Sequence, residues 1–161
     1  MHYKSDFLNI LKSQFKLNIK AEHGISHWRR VALIGNYLAR HTGADIEVVN
    51  FFAYLHDSKR ENELYDPEHG LRASAFAKEL YDKKLIKINA QKLEVLQFAC
   101  EHHSDSKVKS DDITVQTCWD ADRLDLWRVG IEPKREFLNT DFAQNHEAMK
   151  FAKNLLTSGI C

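Results

Sequence analysis

The stretch Val48-Val49-Asn50-Phe51-Phe52-Ala53-Tyr54-Leu55-His56-Asp57 constrains this chain more than any other. From Val48 to Leu55 every residue except Asn50 is apolar or aromatic, so a helix here is buried on nearly every face. It then ends, with no polar transition, in an imidazole beside a carboxylate. A buried Asp is costly unless it is paired or binds a cation. Two readings follow from the dipeptide alone. Either a divalent metal waits at the helix end, or the Asp hydrogen-bonds its neighbouring His or a helix N-terminus.

The rest of the chain supports a helical bundle around that stretch. Only 2 prolines and 6 glycines occur in 161 residues, which suits long helices and disfavours a turn-rich β protein. Periodicity and end signals predict helices over residues 6–16, 26–41, 45–57, 66–83, 90–103, 113–129 and 140–156. Asp66-Pro67 reads as N-cap and first helical position, and Thr140 or Asp141 as the cap of the last helix. The β-branched run 113–118 is where a strand would most easily intrude. The expected fold is therefore all-α, with residues 1–161 forming one domain.

Composition excludes several function classes. Lys+Arg and Asp+Glu are equal at 23, so no global field invites nucleic acid or an acidic membrane. No apolar run reaches membrane-spanning length, and the first residues lack the apolar core of a signal peptide. Cys100, Cys118 and Cys161 have no CxxC spacing and read as reduced thiols of a cytoplasmic protein.

Ligand-type residues recur in core-facing slots. His27 shares a stripe with Val31, Ile34 and Leu38; His69 with Ala73, Phe76 and Leu80; His103 with Leu93, Leu96 and Cys100. Asp122 follows Val115 and Cys118 in the same way. Inward-pointing His and Asp at one end of a bundle fit a site between facing helices. Trp28, Trp119, Trp127 and Tyr54 read as core residues at these spacings, not as a base-stacking platform.

The ordered set His27, His56-Asp57, Asp122 resembles the signature of the HD superfamily of metal-dependent phosphohydrolases. His27-Trp28-Arg29-Arg30-Val31 looks like that family's first-ligand helix. His69-Gly70-Leu71-Arg72-Ala73-Ser74-Ala75 is similar to its HGxxSA segment, and Asp120-Ala121-Asp122-Arg123-Leu124-Asp125 to its DADRLD segment. The resemblance covers residues 23–131. It implies a helical HD domain with His27, His56, Asp57 and Asp122 as metal ligands. It also implies that His69 and His103 either hold a second metal or serve as acid/base and phosphate contacts. Asp57, His69 and His103 are then the catalytic candidates.

Two adjacent alternatives, Asp120 for Asp122 and His102 for His103, fit their stripes less well, and His23 reads as a loop histidine near the same mouth. Lys59, Arg60 and Arg123 are the candidate phosphate contacts, whereas Arg72 reads as a solvated charge. A mixed imidazole and carboxylate set suits Mn, Fe, Co, Ni or Zn better than Mg, with one or two ions per chain. The implied activity is hydrolysis of a phosphate ester or anhydride in a nucleotide or similar small molecule. The rival is a non-catalytic module that keeps the site for binding. A structural zinc is disfavoured because the core cysteines lie off the ligand slots.

Overall fold

The computed structural model describes residues 5–159. They form seven α-helices: α1 (Ser5–Gln14), α2 (Ile25–Thr42), α3 (Ile46–Leu55), α4 (His69–Asp82), α5 (Ala90–His102), α6 (Ile113–Leu124) and α7 (His146–Leu155). Short 3₁₀ segments, Asp125–Val129 and Arg135–Phe137, lie between α6 and α7. Among the described residues there is no strand, and the β-branched run 113–118 is helical. Cys161 and the first four residues lie outside the described range.

Local chemistry sets most of the helix ends. The Asp45 carboxylate accepts from Glu47 and Val48 N–H at 3.0 and 3.2 Å, starting α3. Asp112 does the same for Thr114 and Val115 at 2.7 and 3.1 Å, which commits the β-branched segment to α6. Gly43, at φ 79°, closes α2 by donating its N–H to Ala39.

Three boundaries differ from expectation. Asp66 does not cap α4, which begins at His69; its carboxylate instead binds both the Arg72 guanidinium and the Glu61 N–H. α6 stops at Leu124 and tightens into a 3₁₀ turn. The last helix starts at His146, capped by Asn145; the Thr140 hydroxyl donates to Asp120 and accepts from the Ala143 N–H at 3.3 Å, so it caps only the separate turn over 141–144.

α3 is the buried centre, touched by α2, α4, α5 and α6, which is why its sequence is apolar nearly all round. The stripe His27, Val31, Ile34 and Leu38 on α2 is wholly inaccessible to solvent. Trp28 and Trp119 are buried core residues, and the Trp119 indole donates to the Ala99 carbonyl at 2.9 Å, tying α6 to α5. Trp127 and Tyr54 pack partly buried against the same core. Cys100 and Cys118 are buried free thiols, and burial pushes both thiol pKa values up, so they pack as small hydrophobes. No helix among the described residues is long and apolar enough to cross a membrane.

Candidate metal centre

His56 is the first residue beyond α3, its N–H still bonded to the Phe52 carbonyl at 2.9 Å. The turn that follows brings Asp57, only 3% exposed, back over the helix end. His27 arrives from the first turn of α2, Asp122 from the last turn of α6, His69 from the first residue of α4, and His103 from just past α5. Helix ends from most of the bundle therefore meet at one place.

Hydrogen bonding fixes the state of each ring. A carbonyl oxygen can only accept, so the Nδ1 atoms of His56, His69 and His103 must donate to the carbonyls of Phe52, Asp66 and Cys100. His27 Nδ1 donates to Asp125 Oδ2 at 2.7 Å, and that carboxylate is held in turn by Arg30 through two bonds of 2.7 and 3.1 Å. All four Nε2 atoms consequently face inward. His27 Nε2 and His56 Nε2 are 3.1 Å apart, and His69 Nε2 and His103 Nε2 are 2.8 Å apart.

Asp57 stands between the two pairs. Its Oδ2 lies 3.4 and 3.5 Å from His27 and His56, and its Oδ1 lies 3.4 and 3.6 Å from His69 and His103. Asp122 Oδ1 completes the first group at 3.3 and 3.5 Å from His27 and His56. Asp57 Oδ1 is buried yet makes no hydrogen bond. Opposed ring nitrogens whose other nitrogens already donate, beside such an oxygen, make a site that wants a cation between its donors. The residues fit a divalent ion, and Asp57 can serve two.

The electrostatics agree. Burial alone would raise the carboxyls of Asp57 and Asp122, but the surrounding histidines hold both well below the usual carboxylate range. Burial and Arg128 lower the His27 pKa, yet its bonds to Asp122, Asp125 and Asp57 prevail and push it up to about 10. In the second pair burial, then His103, press His69 down to about 4, while Asp57 draws His103 up against its burial. The Asp57, Asp122 and Asp125 carboxylates thus draw positive charge into the centre against the cost of burial.

The HD domain family model matches residues 24–127 of this sequence. The chain belongs to the HD domain family. A similar solved structure is the crystal structure of a predicted HD superfamily hydrolase from an uncultured Thermotogales bacterium, with 25% sequence identity and a TM-score of 0.69. The match covers 94% of this chain and 86% of that one. No curated protein matches the sequence.

Within this HD domain the two carboxylates of the DAD segment face different ways. Asp122 points to the histidines, whereas Asp120 accepts four hydrogen bonds of 2.7–2.8 Å from the backbone and side chains of Asn139 and Thr140. Asp120 thus pins the segment after α6, and only Asp122 joins a group of potential ligands. His102 lies beside the Phe98 ring and outside those groups, while His103 is inside two of them.

The basic residues divide. Arg60 and Arg123 line the mouth of the site. Lys59 does not: its Nζ reaches Gln14 Oε1 at 2.5 Å and sits over the Phe76 ring, so this expected phosphate contact is turned elsewhere. Arg72 is paired with Asp66 and is not a free solvated charge. His23 lines the mouth and contacts Glu63.

Two contributors escaped the sequence reading. Arg128 lines the mouth, and Asp125 orients His27. Asp125 lies 98 residues from its partner. Its sequence signals were its place at the end of the DADRLD segment and the pairing of His27 with Arg30 on a single face of α2, which calls for a carboxylate opposite. The largest cavity, about 650 Å³, lies between residues 132–136 and α7 and gathers none of the described ligand groups. The candidate ligands Asp57, His69, His103 and Asp122 instead line the smaller chamber of about 180 Å³.

Proposed function

We propose that this HD domain is a divalent-cation-dependent phosphohydrolase acting on a phosphate ester or anhydride of a nucleotide or similar small molecule. One observation carries the reading: two pairs of inward Nε2 atoms, 3.1 and 2.8 Å apart, flank a single carboxylate with an unpartnered oxygen. His27, His56, Asp57 Oδ2 and Asp122 would hold one cation; Asp57 Oδ1, His69 and His103 would hold another. This donor set suits Mn, Fe, Co, Ni or Zn. Bound there, divalent cations supply Lewis acidity toward a phosphoryl oxygen and acidify water at neutral pH.

The protein's own groups do the rest. Asp125 locks the His27 ring, and the carbonyls of Phe52, Asp66 and Cys100 lock the other three, so the donor set is preorganised. Arg60, Arg123 and Arg128 around the mouth oppose the charge of a phosphate entering it. Burial of His27, His56 and Asp57 keeps bulk water from competing with these contacts.

The test is a phosphate-release screen of wild type and Asp57→Asn across nucleoside mono- and triphosphates, each loaded with Mn, Co, Ni, Zn or Mg. Turnover confined to wild type is expected. A metal-loaded wild type that releases no phosphate from any of them would make the chain a binding module.

A further inference from the structure

Two chambers meet at Arg60. The one above Asp57 holds about 180 Å³, and its neighbour holds about 440 Å³. Arg60, His69 and Ser104 wall both. Small-molecule sites span about 300–1,000 Å³. The inner chamber therefore takes little more than a phosphoryl group, and the remainder of a substrate has to lie in the outer one.

The shared wall and the outer wall differ in chemistry. Arg60 is 8% exposed, its guanidinium is 3.8 Å from Asp57 Oδ1, and its Nε is a buried donor with no partner. An unpaired guanidinium donor at the junction suits a phosphate oxygen there. The outer chamber is lined by Leu64 and Tyr65, which are 93% and 79% exposed. A bond from Leu64 N–H to Asn62 Oδ1 at 2.8 Å shapes the turn that presents them. Ser104, Asp105 and Ser106, which follow His103 in the chain, line the same chamber. The order outward is thus the candidate cation ligands, the Arg60 guanidinium with one N–H unused beside Asp57, then an aromatic and an aliphatic side chain beside hydroxyls and the Asp66 and Asp105 carboxylates.

We propose that the outer chamber is a leaving-group subsite and that Tyr65, backed by Leu64, selects substrates whose leaving group carries a planar ring of nucleobase type. The proposal rests on the phosphohydrolase reading and adds the residue that discriminates among phosphates. In the reaction a water oxygen bonds to phosphorus as the P–O bond to the leaving group breaks. The departing oxygen takes up a proton, and the product leaves through the outer chamber. Every base has a π-face, so Tyr65 selects for a ring without choosing between bases.

The experiment measures calorimetric binding of adenosine 5′-monophosphate and ribose 5-phosphate to the Mn-loaded full chain, alongside phosphate release from both. Wild type, Tyr65→Ala and Tyr65→Phe are compared. Wild type should bind the nucleotide more tightly than the sugar phosphate. Tyr65→Ala should lose that preference by about 5- to 100-fold, as expected for removing one stacking platform. Tyr65→Phe should keep it, and the kinetic change should fall on KM rather than kcat. Equal binding of the two compounds by wild type, no binding of either, or a preference that survives Tyr65→Ala overturns the subsite. A Tyr65-dependent binding preference with no phosphate released overturns the phosphohydrolase reading and leaves the subsite standing.

Discussion

Asp125 Oδ2 accepts the Nδ1 proton of His27 at 2.7 Å, and Arg30 grips the same carboxylate. A residue of the 3₁₀ turn thereby fixes the tautomer of a ligand on α2. Asp125→Ala should weaken divalent-ion binding by about 10- to 100-fold, the usual effect of deleting a group that orients a ligand. It should also cost roughly 3–5 kcal/mol of stability, because Arg30 is left buried and unpaired. Metal titration and denaturant melts read the two effects separately. Unchanged affinity would remove Asp125 from the centre.

Gly70 brings α4 against α5. A β-carbon there would stand 2.5 Å from the Glu101 carbonyl oxygen and 2.7 Å from that of Cys100, both rigid backbone atoms. Gly70→Ala should push His69 away from His103 and cost about 1–3 kcal/mol. Elemental analysis should show the chain losing the ion held by those two histidines while keeping the one at His27 and His56. Full stoichiometry in this variant would show that α4 yields without moving the ligand.

Asp122→Ala should lose the first ion together with only the stability that ion confers, and so melt like chelated wild type. Asp120→Ala should instead keep the ion and be destabilised with or without chelator. Removing the Asp120 carboxylate bares the Asn139 and Thr140 donors, at roughly 1–3 kcal/mol for each buried group left unpaired. Metal content and melting temperature of the two variants decide it. Metal loss in Asp120→Ala and retention in Asp122→Ala would reverse the assignment.

His69→Ala and His103→Ala should each lower ion content from two to one and reduce turnover, with the His27 and His56 ion retained. If both keep full ion content but slow turnover about 10²–10⁴-fold, the two rings act as acid/base groups instead. Unchanged activity and content would leave both as core residues.

Chelation of the wild type should lower its melting temperature, since an ion bound only by the native state stabilises it by mass action. Asp57→Asn should respond far less to chelator. Equal shifts in both proteins would locate the stabilising ion elsewhere.

The convergence of the candidate ligands was legible in the sequence because they obey helical periodicity. His27, His69 and His103 each continue an apolar stripe whose other members are buried. The starts of the helices expected at residues 45 and 113 were legible because Asp45 and Asp112 act on their own next turn. What was not legible depends on distant partners. Asp66 carries the local pattern of a cap, but Arg72 and the Glu61 N–H claim its carboxylate. Thr140 caps only a single turn, its hydroxyl accepting the Ala143 N–H while donating to Asp120 twenty residues earlier, and the helix itself waits for Asn145. Lys59 follows the His56-Asp57 pair closely, yet its side chain turns to Gln14 on α1.

The position of Asp57 has a consequence for how the centre fills. One carboxylate offers an oxygen to each histidine pair, so a single negative charge is divided between two guests. Where two cations bind, the first to arrive would neutralise part of the attraction felt by the second. The two affinities would therefore separate, into a tenaciously held ion and a more exchangeable neighbour. Occupancy of the looser seat would follow the surrounding metal concentration, and the ion supply itself would set how much of the protein is fully loaded.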